Sequence, residues 1–180
     1  TRWIPFAHGY TSENKKMALY NRLDQFCYAF ADLAVVVSEP LRRLLVANHV
    51  RPGRIIKLPN AVDLNELLRQ STPETVRRKL GMHPGAVVVG VIGRLSPEKG
   101  QLVFLEALQR IIPDFKKLTA LIIGDGPQKE ALVEFCRARG LANRVLFTGH
   151  VVNVGDYYNL MDLLVIPSYS EGLPNVLLEA

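Results

Sequence analysis

This 180-residue chain is short of several features, and each shortage closes a class of function. No apolar run approaches the ~18 residues that a membrane-spanning helix needs. No segment has the order of a signal peptide. Only two cysteines are present, Cys27 and Cys136. Each lies inside an apolar helical pattern, which predicts two buried free thiols and a cytosolic setting rather than a disulfide framework. Histidine, cysteine and carboxylate residues never cluster at metal-ligand spacing, so no metal is expected. The glycines at Gly90 to Gly93 and at Gly124 to Gly126 lack Gly-x-Gly-x-x-Gly spacing, which disfavours a nicotinamide-dependent dehydrogenase. The lysine-bearing phosphate loop of nucleoside triphosphatases is missing too. No serine sits in a nucleophile elbow, which argues against a Ser-His-Asp hydrolase. Low-complexity tracts and internal repeats are absent.

What remains is a globular composition, 48% apolar and 22% charged. The net charge of +5 suits an anionic partner such as a nucleotide, an acidic lipid surface or nucleic acid, and an excess of this size is also ordinary. Arg42, Arg43, Arg51 and Arg54 either face such a lipid surface or form a solvated face. The chain starts at Thr1 without a methionine and ends inside a predicted helix, as expected of a fragment.

In residues 1–63 the pattern is apolar but irregular. Leu19, Leu23, Phe26 and Phe30 recur at helical steps and predict an amphipathic helix from about Ser12 to Phe30. A buried strand over Leu33 to Val37 follows, then a helix capped by Ser38 with Pro40 in its first turn. Arg54 to Leu58 reads as a strand. Residues 64–85 are punctuated by Asn65, Gln70, Ser71, Thr72 and Pro73 and read as an interdomain linker with a helical turn or two. From 86 onwards the rhythm is regular. Strands are predicted over Ala86 to Ile92, Leu118 to Ile123, Arg144 to Phe147 and Leu163 to Ile166, with helices over Lys99 to Ile112, Pro127 to Arg139 and Asp156 to Met161. Alternating strands and helices predict a parallel sheet with ligands at the carboxyl ends of its strands.

Chemistry-bearing residues gather at those strand ends. Arg94 and Lys99 leave the first regular strand five residues apart, suited to phosphate oxygens or, equally, to a solvated loop in which Glu98 pairs with Lys99. Gly124-Asp125-Gly126-Pro127 reads first as a tight turn capping a helix. Thr148-Gly149-His150 is placed to shape a base pocket through its backbone. In the last stretch a strand and a glycine-containing turn lead into a helix opened by Pro174, an anion site flanked by Glu171 and Glu179. Carboxylates beside a phosphate repel it, so these two would accept from neutral hydroxyls; phosphate with hydroxyls describes a sugar nucleotide. A surface loop with a glutamate at a helix start remains the plain alternative. His8, at a strand end before Gly9, is a catalytic candidate or a structural histidine.

In order, Gly93-Arg94-Leu95 with Glu98-Lys99-Gly100, Gly124-Asp125-Gly126-Pro127, Phe147-Thr148-Gly149, and Ser170-Glu171-Gly172 through Glu179 closely resemble the retaining GT-B glycosyltransferases of the group 1, family 4-like type. Val37-Ser38-Glu39 and Pro59-Asn60-Ala61-Val62-Asp63 resemble the same family's approach to its interdomain linker, although Ala61 stands where glycine is frequent. The resemblance implies an α/β fold of two Rossmann-like doubly wound domains, both incomplete here: 1–63 from the acceptor-side domain, 64–85 as linker, and 86–180 as the nucleotide-sugar domain. It implies a nucleoside-diphosphate sugar as donor and no metal cofactor. Arg94 and Lys99 would neutralise the diphosphate, and Glu179 would hold the ribose. Glu171 would contact the donor sugar with the amides of Gly172 and Leu173, and His8 would reach it from the other domain. Gly149 and His150 complete the donor-binding set. The acceptor stays open among lipid-linked, polysaccharide and small-molecule classes, and no nucleic-acid partner is expected. The expected location is cytoplasmic, with peripheral contact at the cytoplasmic face of the membrane left open. A non-catalytic sugar-nucleotide-binding module and a sugar-nucleotide epimerase of the same architecture are the alternatives.

Overall fold

The structure, a computed structural model, describes residues 1–10, 15–65, 67–68 and 70–180. It forms two units, one of Thr1–Val62 with Ser170–Leu178 and one of Asp63–Tyr169 with Glu179–Ala180. The sequence division at 63, 64–85 and 86 therefore differs from the packing in two places. The 63–85 segment joins the second unit because Val76, on a helix within it, is buried in that unit's core. Ser170–Leu178 joins the first because Leu173 packs on its core and the Leu173 carbonyl accepts from Asn60 Nδ2 at 2.8 Å.

In the first unit, β1 (Phe6–Ala7), β2 (Ala34–Val36) and β3 (Ile55–Lys57) form a parallel sheet in that order, with Phe6 opposite Val35 and Ala34 opposite Ile55. Ala34, Val36 and Leu45 are fully buried, the last on α2 (Glu39–Ala47). Ser38 holds the extended cap conformation before α2, yet its hydroxyl makes no cap bond. Pro40, in the first turn, has no N–H to donate to it. Helix α1 spans Lys15–Cys27 and a 3-10 turn continues to Phe30; its expected start at Ser12 lies outside the described residues. The apolar stripe of this amphipathic segment is open to solvent: Leu19, Leu23 and Phe26 on α1 and Phe30 in the turn after it are 53–70% exposed. Cys27 is exposed with it, against expectation, while Cys136 is buried and burial pushes its thiol up to about 11.

The second unit opens with α3 (Pro73–Lys79), capped by Thr72 Oγ1 accepting from Thr75 N. There follow β4 (Val87–Ile92), α4 (Gln101–Ile111), β5 (Leu118–Ile123), α5 (Lys129–Ala138), β6 (Val145–Gly149), α6 (Gly155–Tyr158) and β7 (Leu163–Leu164). The last helix, α7 (Asn175–Glu179), ends in this unit. The continuous apolar runs of β4 and β5 are buried on both faces. Val89, Val91, Ala120 and Ile122 face Leu105, Leu108, Leu132 and Cys136, whereas Val88, Leu121 and Ile123 face Val76, Met82 and Leu160. Two layers of helices are thereby fixed by side-chain alternation, each fully buried aliphatic contributing ~1.5–3 kcal/mol. The expected helix from Lys99 is interrupted, because Gly100 turns left-handed (φ 67) and separates a 3-10 turn over Pro97–Lys99 from α4.

All strands of this sheet are parallel, in the order β6-β5-β4-β7. The chain winds outward through β5 and β6 and then returns to the other side of β4. The carboxyl ends of β4 and β7 therefore flank a topological switch point, where doubly wound sheets bind their ligands.

Candidate functional site

Backbone bonds lace together the loops leaving β4, β5 and β6. Gly93 N donates to the Ile123 carbonyl and Gly124 N to the Gly149 carbonyl, both at 2.9 Å. Leu95 N donates to the Asp125 carbonyl, and Gln128 N to the Leu95 carbonyl, both at 3.0 Å. The approach is close enough to require glycine. A Cβ on Gly124 (φ +133) would run into the Gly93 carbonyl oxygen, and one on Gly126 into that of Leu95. Gly124-Asp125-Gly126-Pro127 is thus a tight turn packed on its neighbour, and Gly124 and Asp125 also line the cleft above it.

Above these loops lies a cleft of about 540 Å³. Arg94, Asp125, His150 and Glu179 stand in its wall with the Gly93 and Gly124 backbone, and Ile92, Val151 and Val154 make its apolar side. The sequence-predicted residues Arg94, His150 and Glu179 are thus brought together. Gly149 is buried at the end of β6 with φ 72, behind the wall, and Lys99 closes the 3-10 turn five residues beyond Arg94. The Ser96 hydroxyl donates to Glu98 Oε1 at 2.5 Å, and Tyr169 N donates to the Glu98 carbonyl, tying the loop after β7 to the loop after β4.

Three residues that sequence reasoning passed over shape this wall. Gln101, 1% exposed, donates from Nε2 to the Arg94 carbonyl at 2.8 Å and fixes the backbone that carries the guanidinium. Asp125 pairs with Lys129 at 2.6 Å and accepts from Gly126 N. The Lys129 bond, followed by the Gly126 bond, holds its carboxyl below the usual carboxylate range. The negative charge that Asp125 brings to the cleft wall is thereby partly offset by Lys129. Its Asp-x-x-x-Lys spacing is a signal the sequence does carry. The Tyr158 hydroxyl donates to Glu179 Oε2 at 2.6 Å. Burial first, then Glu179, raises the phenol's pKa, so Tyr158 stays a donor.

The other predicted residues belong to the first unit. Gly172 passes directly under the His8 carbonyl, leaving no room for a Cβ, and Leu41 of α2 lies 3.2 Å from the same point. His8 is exposed and stacks on Phe6 with ring centroids 6.2 Å apart. Glu171 is exposed, and Leu173 anchors the loop in the core. The strand end carrying His8 and the loop carrying Glu171 are therefore neighbours, which spacing alone could not predict. Among the described residues no group of three or more His, Cys, Asp or Glu side chains is placed to hold a metal, and no helix is long and apolar enough to cross a membrane.

The chain is 38% identical over 128 residues to a 2-deoxystreptamine N-acetyl-D-glucosaminyltransferase of Streptomyces fradiae, covering 68% of this chain and 30% of that one. An uncharacterised glycosyltransferase of Methanocaldococcus jannaschii is 24% identical over all of this chain and 46% of its own length. Among solved structures, HepE of Anabaena in complex with UDP superimposes with a TM-score of 0.80 at 25% identity, over 99% of this chain and 50% of that one. WaaG, a glycosyltransferase of lipopolysaccharide biosynthesis, shares the fold at 17% identity with a TM-score of 0.81, over 98% and 53%. These neighbours are GT-B glycosyltransferases, so the two parallel sheets are parts of that fold. The chain spans less than half the length of the curated relatives it matches. The family model for glycosyl transferases group 1 matches residues 86–180, more than half of the chain, and the chain belongs to that family.

Proposed function

We propose that the complete protein transfers a sugar from a nucleoside-diphosphate sugar to an acceptor with retention of anomeric configuration. The observation that carries this reading is the joint presence of Arg94 and Glu179 in one cleft at the switch point of the sheet. As the glycosidic C–O bond breaks, positive charge grows on the sugar and negative charge on the departing diphosphate. Arg94 meets that charge with a fixed fork of donors and Lys99 adds a compact cation, so the barrier falls without a metal ion. Glu179 accepts from the ribose hydroxyls. Glu171 accepts from hydroxyls of the donor sugar while the Gly172 and Leu173 amides approach it. His8 acts on the sugar face, and the Gly149-His150 backbone contacts the base.

Relatives bear on donor and acceptor. HepE has been solved with UDP-glucose, which supports a uridine nucleotide sugar as donor. Other relatives are a lipopolysaccharide core mannosyltransferase of Rhizobium meliloti and an Escherichia coli galactosyltransferase whose substrate is a sugar-diphosphoundecaprenol. They support an acceptor of the lipid-linked or polysaccharide class in cell-envelope synthesis, while the 2-deoxystreptamine N-acetyl-D-glucosaminyltransferase of Streptomyces fradiae supports a small-molecule acceptor. The test is to supply UDP- and GDP-sugars with such acceptors and follow nucleoside diphosphate release, with the product's anomeric configuration read by NMR. Acceptor-dependent release and a retained anomer are expected. An inverted product refutes the stereochemistry. Binding without release leaves only a binding module, and a changed sugar nucleotide without acceptor indicates an epimerase.

A further inference from the structure

Glu179 lies at the end of α7, a helix of five residues, where the exposed carbonyls do nothing to favour a negative charge. Its carboxylate therefore depends on a donor from elsewhere in the unit. That donor is the Tyr158 hydroxyl, 2.6 Å from Oε2. Tyr158 ends α6, and α6 is tied to one neighbouring stretch by two contacts, one with Leu67 and one with Gln70 and Ser71. A Cβ on Gly155 would overlap the Leu67 carbonyl, so the chain there is packed backbone to backbone. Next to it, Asp156, 8% exposed, accepts from Gln70 N at 2.6 Å and Ser71 N at 2.9 Å. The phenol thus projects from a short but immobilised element.

We propose that Tyr158 is a positioning residue for nucleotide binding: its hydroxyl occupies Glu179 Oε2 and holds the carboxylate in the cleft wall, so that the remaining lone pairs accept the two ribose hydroxyls. The inference rests on the ribose reading of Glu179 given above. A carboxylate offers about four acceptor sites, so one phenol bond leaves enough for a vicinal diol. A glutamate without that bond samples several rotamers and loses entropy on binding. The raised phenol pKa keeps the donor protonated wherever the protein is folded at ordinary pH.

The experiment uses calorimetric titration of the complete protein with UDP and GDP, each against its 2′,3′-dideoxy analogue. Wild type is expected to prefer the ribose form. Tyr158→Phe, which keeps the ring, should weaken the ribose form by roughly threefold to tenfold and change the dideoxy form by less than about twofold. In a Glu179→Ala background the same substitution should change neither. General distortion of the fold would weaken both ligands in parallel, so a preference preserved in Tyr158→Phe overturns the proposal even if the variant is less stable. A wild type that does not distinguish the two sugars overturns the ribose reading itself, a separate failure.

Discussion

Alanine at position 124 tests whether the loops after β4 and β5 are as tightly packed as the geometry requires. Gly124 has φ +133, and its missing Cβ faces a backbone carbonyl, that of Gly93, which cannot rotate away like a side chain. Gly140, which follows α5, has φ +69 but open space around it. Both alanines carry the left-handed strain of ~1–2 kcal/mol, while only Gly124→Ala adds overpacking of ~1–3 kcal/mol. The expected losses are about 1 kcal/mol for Gly140→Ala and about 3 kcal/mol or more for Gly124→Ala. At roughly 2–4 °C per kcal/mol, the melting temperature falls by a few degrees in the first and close to ten in the second. Scanning fluorimetry of both variants, followed by nucleoside diphosphate titration, reads the difference. Gly124→Ala should bind more weakly because Gly93 and Arg94 move with the loop; Gly140→Ala should bind normally. Equal melting temperatures with unchanged binding in both would refute the close approach.

Glu179→Ala should weaken the bare nucleoside diphosphate, whereas Glu171→Ala should leave that affinity nearly intact and lower turnover roughly tenfold to a hundredfold, measured by titration and steady-state rates. At Asp156, burial works against the charge, but the Ser71 and Gln70 amides together outweigh it and hold the carboxyl below its usual range. A depressed folded pKa gives stability that is present above about pH 4 and lost as the pH falls through the folded value. Asp156→Asn should therefore cost ~1.5–3 kcal/mol at neutral pH and flatten the acid limb of a denaturation series. Because Leu23 and Phe26 are exposed on α1, the isolated 180-residue chain should self-associate, and Leu23→Glu with Phe26→Glu should reduce the light scattering.

The parallel sheet of the second unit was legible because β4 and β5 are buried on both faces and must be apolar throughout. Leu118 to Ile123 matches its strand at both ends. The start of α4 was misplaced since a periodic apolar pattern does not register one left-handed residue, Gly100. The stripe of α1 predicted a helix correctly but not which side would be covered, for periodicity reports a face and not its partner. Ser38 illustrates that a cap residue at the right position can hold the cap backbone without making the cap bond. In the cleft, Arg94 and His150 were singled out from the loops that end their strands and Glu179 from the helix after the Glu171 loop, and the fold brings the three together. Lys129 carried a readable i,i+4 signal. Tyr158 carried none, because 21 residues separate it from Glu179 and only the fold brings them together. Gln101 carried no signal either, because its burial against the Arg94 carbonyl follows only from the fold.

In the mechanism proposed above, protein cations, Arg94 foremost, stabilise the departing diphosphate. Charge on that group is greater in the transition state than in the bound donor, so removing a cation should lower kcat more than it raises the donor KM. The decisive measurement is the steady-state rate of the complete enzyme with and without EDTA, for wild type, Arg94→Ala and Lys99→Ala. Each alanine should reduce kcat by on the order of a hundredfold or more, by analogy with losing one oxyanion donor, and chelation should leave the wild-type rate almost unchanged. A wild-type rate that collapses in EDTA and returns with manganese, while Arg94→Ala remains active, would contradict the account.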